Sequence, residues 1–320
     1  MGQITMGLCA TLLTVEEATP KVLTVDGGLP FGPFDPEKDF TLHLGLHRWI
    51  HEQTGLMPNY VEQLYTFGNR FRDPGELAGG PRVISVGYLG LMPPTQPQAA
   101  DATWAEVYDY LPWEDQRTEN KGLIEKYLVP ALKLWASEAP TPKEISRRMQ
   151  RLTLNWGLNN MPFDNERVLE RYQMLYEAGL VLEAHRDFKT LHGKTTNLPM
   201  SDRVGRLTDL QRIAKMTGPE MPHDHRRIVA SALQRFRGKL KYRPIVFEIM
   251  AKTFTLFELQ KVVEALSGTK LHKQNFRRLV LNEGLVQETG KFDTSGRGRP
   301  AELYKFREEV LYERPAPGLS

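Results

Sequence analysis

The sequence predicts an α+β protein, in which a mixed α/β region with a helical insertion is followed by a winged helix-turn-helix. Three observations predict this fold class. Strand-like and helix-like segments alternate over residues 20–113, helical periodicity dominates residues 123–184, and a helix–turn–helix–hairpin pattern fills residues 247–306. With 320 residues, the chain is long enough for two domains with separate cores.

The mixed α/β region begins with a short strand at residues 22–25, which a turn ends. Residues 42–53 predict a helix, because apolar side chains recur there at helical spacing and Gly55 follows. Residues 83–91 predict a strand buried on both faces, and residues 103–111 predict another strand.

The middle of the chain is mainly helical. Prolines at 140 and 142 separate two helical stretches, and a third helix is predicted from about 165 to 178. A short strand at 180–183 and a polar loop at 187–202 are expected next. Residues 224–241 predict a long basic helix.

The sharpest local pattern is a capping box, in which Thr255 caps a helix and Glu258 reaches back to it. Phe254 and Leu259 occupy the two positions of a hydrophobic staple, so a helix is expected from residue 256. A second helix at 272–283 and a hairpin with a glycine-rich basic loop complete the pattern of a winged helix, which can place its second helix in the major groove.

Charge is distributed unevenly along the chain. The net charge is +3, but residues 221–314 hold 19 Lys/Arg against 11 Asp/Glu, which predicts an anionic partner for the C-terminal part. Arginine and lysine can bind phosphates, and Asn, Gln and Arg can read base edges. The alternative is a winged helix used for protein contacts, with a solvated basic face. The candidate DNA contacts are Lys270, Lys273, Gln274, Asn275, Arg277, Arg278, Lys291, Arg297 and Arg299.

Five segments within residues 223–306 together resemble the Nudix-related transcriptional regulators of the NrtR family. They are the runs at 224–228, 237–242, 254–256, 275–278 and 296–301. The resemblance implies a Nudix-like mixed α/β/α domain joined to a winged helix. It also implies a homodimer on double-stranded operator DNA, control by a ligand of the Nudix-like domain, and repression of NAD or sugar metabolism genes.

A degenerate Nudix box supports the resemblance at residues 48–56. The box arginine is present as Arg48, and the closing glycine and aliphatic residue are present at 55 and 56. Of three glutamates that hold metal in a working box, only Glu52 remains, because Trp49 and Gln53 occupy the other positions. Nudix hydrolysis needs divalent cations, which favour carboxylate oxygens. We therefore expect no metal site, no catalytic residue and no required cofactor.

A nucleotide can still bind without metal if arginines take over its charge. The resemblance places residues 66–88 along the ligand cleft, and three aromatic residues nearby could stack on adenine. The alternatives are ordinary loop arginines and aromatic core residues. The candidate nucleotide contacts are Arg48, Glu52, Arg70, Arg72, Arg82, Tyr65, Phe67 and Tyr88. The expected effector is an adenine nucleotide, namely NAD, ATP or ADP-ribose.

The chain is longer than short members of the family, and it resembles their long, NadQ-type form, which represses NAD synthesis. We expect a Nudix-like domain at 1–240, interrupted by a mainly helical insertion at about 114–222, and a winged helix domain at 241–320. His223, Asp224 and His225 could suggest a metal site, but Asp224 at a helix N-terminus is the better interpretation.

Two bulk features concern location. Cys9 is the single cysteine, which excludes an internal disulfide and suits a reducing cytoplasm. No apolar run reaches the length of a membrane span, so we expect a cytoplasmic protein without a membrane partner.

Two rival hypotheses for the function remain. One is a divergent Nudix hydrolase using Glu52 with Glu37 or Asp39, and the other is a structural adaptor.

Overall fold

The computed structural model describes residues 4–69, 73–117, 122, 124–192, 216–240, 244–294 and 300–310. Within them, six strands form one sheet in the order β4–β5–β1–β2–β6, and β3 pairs with the first half of β1. β1 and β5 run parallel, and the other neighbours are antiparallel. The strands are β1 (Ile4–Glu16), β2 (Thr19–Val25), β3 (Phe31–Pro33), β4 (Tyr60–Phe67), β5 (Arg82–Leu91) and β6 (Ala102–Glu106).

β1 lies at the centre of the sheet and is buried on both faces over most of its length. Its side chains alternate between two apolar clusters, because successive residues of a strand point to opposite faces. Leu8 and Leu12 pack in the cluster that contains Leu46 of the helix α1 (Leu42–Thr54). Cys9 and Leu13 belong to the other cluster. Each face of the sheet is therefore covered by a layer of helix.

The helix on the second face is α8 (His225–Leu240), which contacts β1, β4 and β5. The structure therefore has the mixed α/β/α sandwich expected for the first domain, and α8 completes it although 118 residues separate β6 from α8. Thr41 caps α1 by accepting a hydrogen bond from the Leu44 amide, and Gly55 ends the helix with a left-handed φ of 70°.

The chain between β6 and α8 is mainly helical, as expected. Two short helices belong to the sheet domain: α2 (Pro74–Leu77) precedes β5, and α3 (Val107–Tyr110) directly follows β6. They are followed by α4 (Val129–Ser137), α5 (Pro142–Trp156), α6 (Val168–Glu177) and α7 (Leu182–His192).

Three expectations for this part were wrong. The strand expected at 103–111 ends at Glu106, where the chain turns into α3, and the segment expected as a strand at 180–183 leads into α7. Residues 187–192, expected as loop, also lie in α7. Glu183 and Ala184 in the first turn of α7 are buried, and this tertiary packing overrides the weak local preference for a strand.

The C-terminal part is a winged helix built from α9 (Leu256–Ser267), α10 (Lys273–Asn282), β7 (Val286–Asp293) and β8 (Ala301–Phe306). The predicted capping box is confirmed, since Glu258 Oε2 accepts the Thr255 amide at 2.7 Å and Thr255 Oγ1 accepts the Glu258 amide at 3.1 Å. Phe254 pairs through its backbone with Tyr304 of β8, which attaches α9 to the wing.

Among the described residues, no helix is both long and apolar enough to cross a lipid bilayer.

Candidate functional site

The exposed face of α10 carries most of the predicted DNA contacts. Phe276 and Val280 point into the core of the winged helix, because they lie four residues apart on one face. The solvent-facing surface carries polar and cationic side chains, together with the exposed Leu279 and Leu281. The exposed candidates on this helix are Lys273, Gln274, Asn275, Arg277 and Arg278.

Helical periodicity divides these candidates further. At 100° per residue, Gln274 and Arg278 lie opposite the buried face, at the centre of the exposed surface. Lys273 and Arg277 lie on the flank that faces the wing, where they line a cleft of about 540 Å³ together with Phe292 of β7. Asn275 lies on the other flank, with exposed Lys270 in the turn before the helix.

Two polar side chains of α9 fix the turn into α10. Gln260 Nε2 donates to Glu264 Oε1 at 2.9 Å and to the Leu271 carbonyl at 3.0 Å. Glu264 Oε1 in turn accepts the Leu271 amide at 3.0 Å. Burial opposes ionisation of Glu264, but these hydrogen bonds and Lys261 hold the pKa of its carboxyl below the usual range. The angle between the two helices is therefore set by hydrogen bonds as well as by apolar packing.

The wing is a hairpin, as expected, and the register between its two strands is irregular. Gly290 has a positive φ of 69° within β7, where the pairing with β8 shifts. Lys291 follows it and is exposed. Arg297 and Arg299, the predicted tip of the wing, lie outside the described residues.

The positions of the missing Nudix glutamates lie on α1, against β3. Trp49 Nε1 donates to the Pro33 carbonyl at 2.9 Å. Gln53 accepts the Phe31 amide at 3.0 Å and donates to the Phe31 carbonyl at 2.8 Å. A Cβ at Gly32 would collide with the Trp49 ring, so glycine is needed beneath it. The polar atoms of both side chains form hydrogen bonds that attach α1 to β3.

The two charged residues of the box form ion pairs. Arg48 binds Asp39 through Nε at 2.9 Å and Nη2 at 2.8 Å, and its Nη1 lies 3.4 Å from Glu52. Hydrogen bonds from Arg48 lower the pKa of Asp39. A magnesium site does not fit this donor set, because one exposed carboxylate pairs with arginine and its two neighbours are an indole and an amide. Within the described residues, no cluster of three or more His, Cys, Asp and Glu side chains could hold a metal ion.

The remaining nucleotide candidates are spread over both faces of the sheet. Tyr88 is buried on the α1 side, and Phe67 is buried on the α8 side, so they do not line one pocket. Tyr65 is 61% exposed and makes an edge contact with Phe67 at 5.6 Å. Exposed Arg82 donates to the Gly68 carbonyl at 2.7 Å. Arg70 and Arg72 lie outside the described residues.

A polar and aromatic cluster at the start of α8 is not apparent in the sequence. The His223 ring contacts Asp73 at 2.7 Å and lies 5.2 Å from the Phe31 ring. Arg227 donates to Asn69 at 3.1 Å and lies over the Phe67 ring at 5.2 Å. The metal site was the less favoured interpretation of His223 and His225, whose partners are Asp73 and the Leu29 amide, at least 150 residues away in the sequence.

The comparisons with known proteins agree with this architecture. Residues 246–306 match the family model of the NrtR DNA-binding winged helix domain. Over 87 residues the chain is 36% identical to the ADPR responsive transcriptional repressor NtrR of Acinetobacter baylyi, a match that covers 27% of this chain and 34% of that protein. The chain thus matches about a third of the length of this curated relative.

Two solved structures resemble almost the whole chain. Shewanella oneidensis NrtR in complex with a 27mer DNA has 21% identity and a TM-score of 0.54, covering 96% of this chain and 95% of that one. A MutT/nudix family protein from Enterococcus faecalis has 15% identity and a TM-score of 0.51, covering 96% and 88%. At these identities the two structures support the fold.

Fold and site together define a Nudix-type domain with a helical insertion, joined to a C-terminal winged helix. Residues 246–306 resemble the NrtR DNA-binding winged helix domain, and the fold of nearly the whole chain is similar to that of a solved NrtR structure.

Proposed function

We propose that the protein is a DNA-binding transcriptional repressor of NAD metabolism genes, controlled by an adenine nucleotide that binds its Nudix-type domain. The exposed polar and cationic face of α10 is the observation that carries this proposal. A helix of this kind fits the major groove, and the cleft between α10 and the wing can hold a phosphate backbone against Lys273 and Arg277.

Within this interface we assign different roles to the two parts of the helix. Gln274 and Arg278, at the centre of the exposed face, read base edges. Lys273 and Arg277 on the wing side, with Lys270 and Lys291, contact phosphates. The proposed interface also includes Asn275, Arg297 and Arg299, because the sequence pattern predicts them as DNA contacts.

The favoured effector is ADP-ribose, with NAD and ATP as the other adenine nucleotides to be compared. The similar repressor from Acinetobacter baylyi is described as ADPR responsive, and this supports the choice. Arg48, Glu52, Tyr65, Arg70, Arg72 and Arg82 are the candidate contacts. Phe67 and Tyr88 contribute indirectly by shaping the sheet, because both are buried, one on each face.

We also propose a Nudix-type domain over residues 1–240, with the helical insertion at about 114–222. The contacts of α8 with the sheet support the inclusion of this helix in that domain. Residues 241–320 form the DNA-binding domain. We further propose that the protein is a cytoplasmic homodimer on a palindromic operator.

The direct test is fluorescence anisotropy with the highest-affinity DNA duplex recovered by in vitro selection from a random library. We expect tight binding that Arg278→Ala weakens at least tenfold on this duplex, with a much smaller effect on unrelated DNA. Equal losses on both duplexes would assign Arg278 to phosphate contact, and no binding of the wild type to any duplex would refute the proposal.

The rival hydrolase is tested by incubating the wild type with ADP-ribose, NAD and ATP in the presence of Mg²⁺. We expect no turnover above a buffer control, because the donor set of α1 does not suit the cation. Turnover that Glu52→Gln abolishes would contradict the assignment as a regulator without hydrolase activity.

A further inference from the structure

The buried carboxylate of Glu114 lies between two arginines from different helices. Arg171 of α6 donates from Nε to Oε1 at 2.6 Å and from Nη2 to Oε2 at 2.8 Å. Arg237 of α8 donates from Nη1 to Oε2 at 2.6 Å. Burial opposes ionisation of Glu114, but the two guanidinium groups outweigh it and hold the pKa of this carboxyl below its usual range. The cluster therefore keeps an excess positive charge in a buried site.

This excess charge is directed at the C-terminal end of α9, the first helix of the helix-turn-helix. Arg237 Nε donates to the Leu266 carbonyl at 3.0 Å, and the Tyr108 hydroxyl donates to the Ala265 carbonyl at 2.6 Å. The last carbonyls of a helix lack partners within it and carry partial negative charge. The end of α9 is thus capped by groups from outside the winged helix.

The contact at this end of α9 is close. Gly268, which follows the helix, has a left-handed φ of 70°, and its carbonyl accepts the Gln116 amide at 2.8 Å. A Cβ at Gly268 would collide with the Glu114 carbonyl oxygen. The backbone around Glu114 and the end of α9 therefore cannot slide past each other without breaking these hydrogen bonds.

The other end of α8 is attached to the degenerate Nudix helix through β3. His225, in the first turn of α8, accepts the Leu29 amide at 3.0 Å, and its ring lies 5.5 Å from that of Phe31. The backbone of Phe31 is paired with Gln53 of α1. Because α8 rises about 1.5 Å per residue, Arg237 lies roughly 18 Å along the helix from His225.

We propose that Glu114, Arg171 and Arg237 are positioning residues that fix α9 relative to α8 and to the helical insertion. A displacement of α8 at its β3 end is then passed to the recognition helix through the capped end of α9. This inference rests on the proposed function, and it gives the insertion a role, because Arg171 belongs to it. Both guanidinium groups share the Glu114 carboxylate, so displacement of one of them leaves the buried charges incompletely paired. The contact is therefore sensitive to movement of α8.

The experiment compares Glu114→Gln and Tyr108→Phe with the control Glu177→Gln. Glu177 also receives a two-pronged contact from an arginine, Arg151, but this pair is at the surface of the insertion. The measured quantity is the coupling factor, which is the ratio of the Kd values for the selected duplex with and without saturating ADP-ribose. A second measurement follows hydrogen exchange at the Gln116 amide and in the last turn of α9.

We expect the coupling factor to fall at least threefold in both test variants, with the Kd for ADP-ribose alone kept within twofold. Glu177→Gln should retain the wild-type factor. Exchange near Gln116 should become faster only in the test variants. If Glu114→Gln does not fold, Tyr108→Phe decides, because it removes a single hydroxyl group.

Retention of the full coupling factor and of slow exchange by Tyr108→Phe would overturn the inference. A coupling factor of one in the wild type would instead contradict the proposed nucleotide control, and the exchange measurement would still test the positioning contact alone. The two failures are therefore distinguishable.

Discussion

At the scale of single residues, Gln53 occupies a position that the Nudix resemblance assigns to a metal-binding glutamate. Its amide both donates to and accepts from the backbone of Phe31, as a neighbouring strand would. A carboxylate has no donor, so a glutamate at this position could not form the same pair. The substitution thus converts a candidate ligand into a structural connection between α1 and β3.

We predict that Gln53→Glu lowers the free energy of unfolding by about 1–3 kcal/mol, because the Phe31 carbonyl loses its donor and faces a negative charge. Urea unfolding at neutral pH measures this change. Gln150→Glu, at an exposed position of α5, is the matched control and should leave the midpoint unchanged. Equal midpoints for the two variants would contradict the structural role of Gln53.

His225 makes stability depend on pH. Burial is the main cause that lowers its pKa to about 3, and repulsion from His223 adds to it, whereas a histidine in the unfolded chain has a pKa of about 6.5. Between these values the unfolded state binds a proton that the folded state does not. Stability is therefore lost as the pH falls through this window, by about 1.4 kcal/mol per pH unit from this group.

We predict that His225→Asn removes this contribution and flattens the dependence of unfolding free energy on pH between 6.5 and 5. Urea unfolding at several pH values in that range is the measurement. The exposed residue His43 provides the control, since His43→Asn should keep the wild-type slope. A variant slope as steep as that of the wild type would refute the role given to His225.

Residue-level prediction from the sequence succeeded where the contact is local. Thr255 and Glu258 are three residues apart, and the capping box could be predicted from their spacing. The partner of His225 lies 196 residues away, and that of Arg237 lies 123 residues away. A single sequence contains no local signal for such pairs.

At the scale of elements, helical periodicity places the residues proposed for two kinds of DNA contact on different sides of α10. Its centre line carries Gln274 and Arg278, and its wing side carries Lys273 and Arg277. Phosphate contacts release counterions, whereas contacts with base edges discriminate between sequences.

We predict that Lys273→Ala and Arg277→Ala each reduce the slope of log Kd against log salt concentration by about 0.9, with similar effects on all DNA sequences. Anisotropy over a salt series measures the slope. Lys143→Ala, at the exposed start of α5, should not change it. An unchanged slope in the two α10 variants would contradict their assignment to phosphates.

The elements also differ in how well the sequence predicts them. α1, α9, α10 and β8 have caps, glycines or amphipathic periodicity at their ends, and the predicted bounds agree with the structure within about two residues. β1 was not predicted as a strand. Both of its faces are buried between helices, so it has no alternation of apolar and polar residues.

At the scale of the whole molecule, one apolar cluster extends from the sheet through α8 into the winged helix. It includes Leu13 of β1, Phe236 of α8 and Leu259 of α9. The winged helix is therefore packed onto the sheet domain rather than attached by a linker alone. The resemblance at residues 223–306 predicted the two domains, but not this continuity, which depends on tertiary packing.

The continuity matters for the proposed regulation. A ligand changes DNA affinity only if it binds the DNA-competent and incompetent arrangements with different affinities. α8 contacts both the sheet and α9, and its two ends are held by His225 and Arg237. The helix is thus placed to connect the two binding events.

The most direct test of this account is a complete linkage cycle with the selected duplex and ADP-ribose. The Kd for DNA is measured with and without saturating ADP-ribose, and the Kd for ADP-ribose with and without saturating DNA. We predict that both ratios depart from one, by about five- to 150-fold, and that they agree, because coupling is reciprocal. Tight DNA binding with both ratios equal to one for ADP-ribose, NAD and ATP would contradict the account.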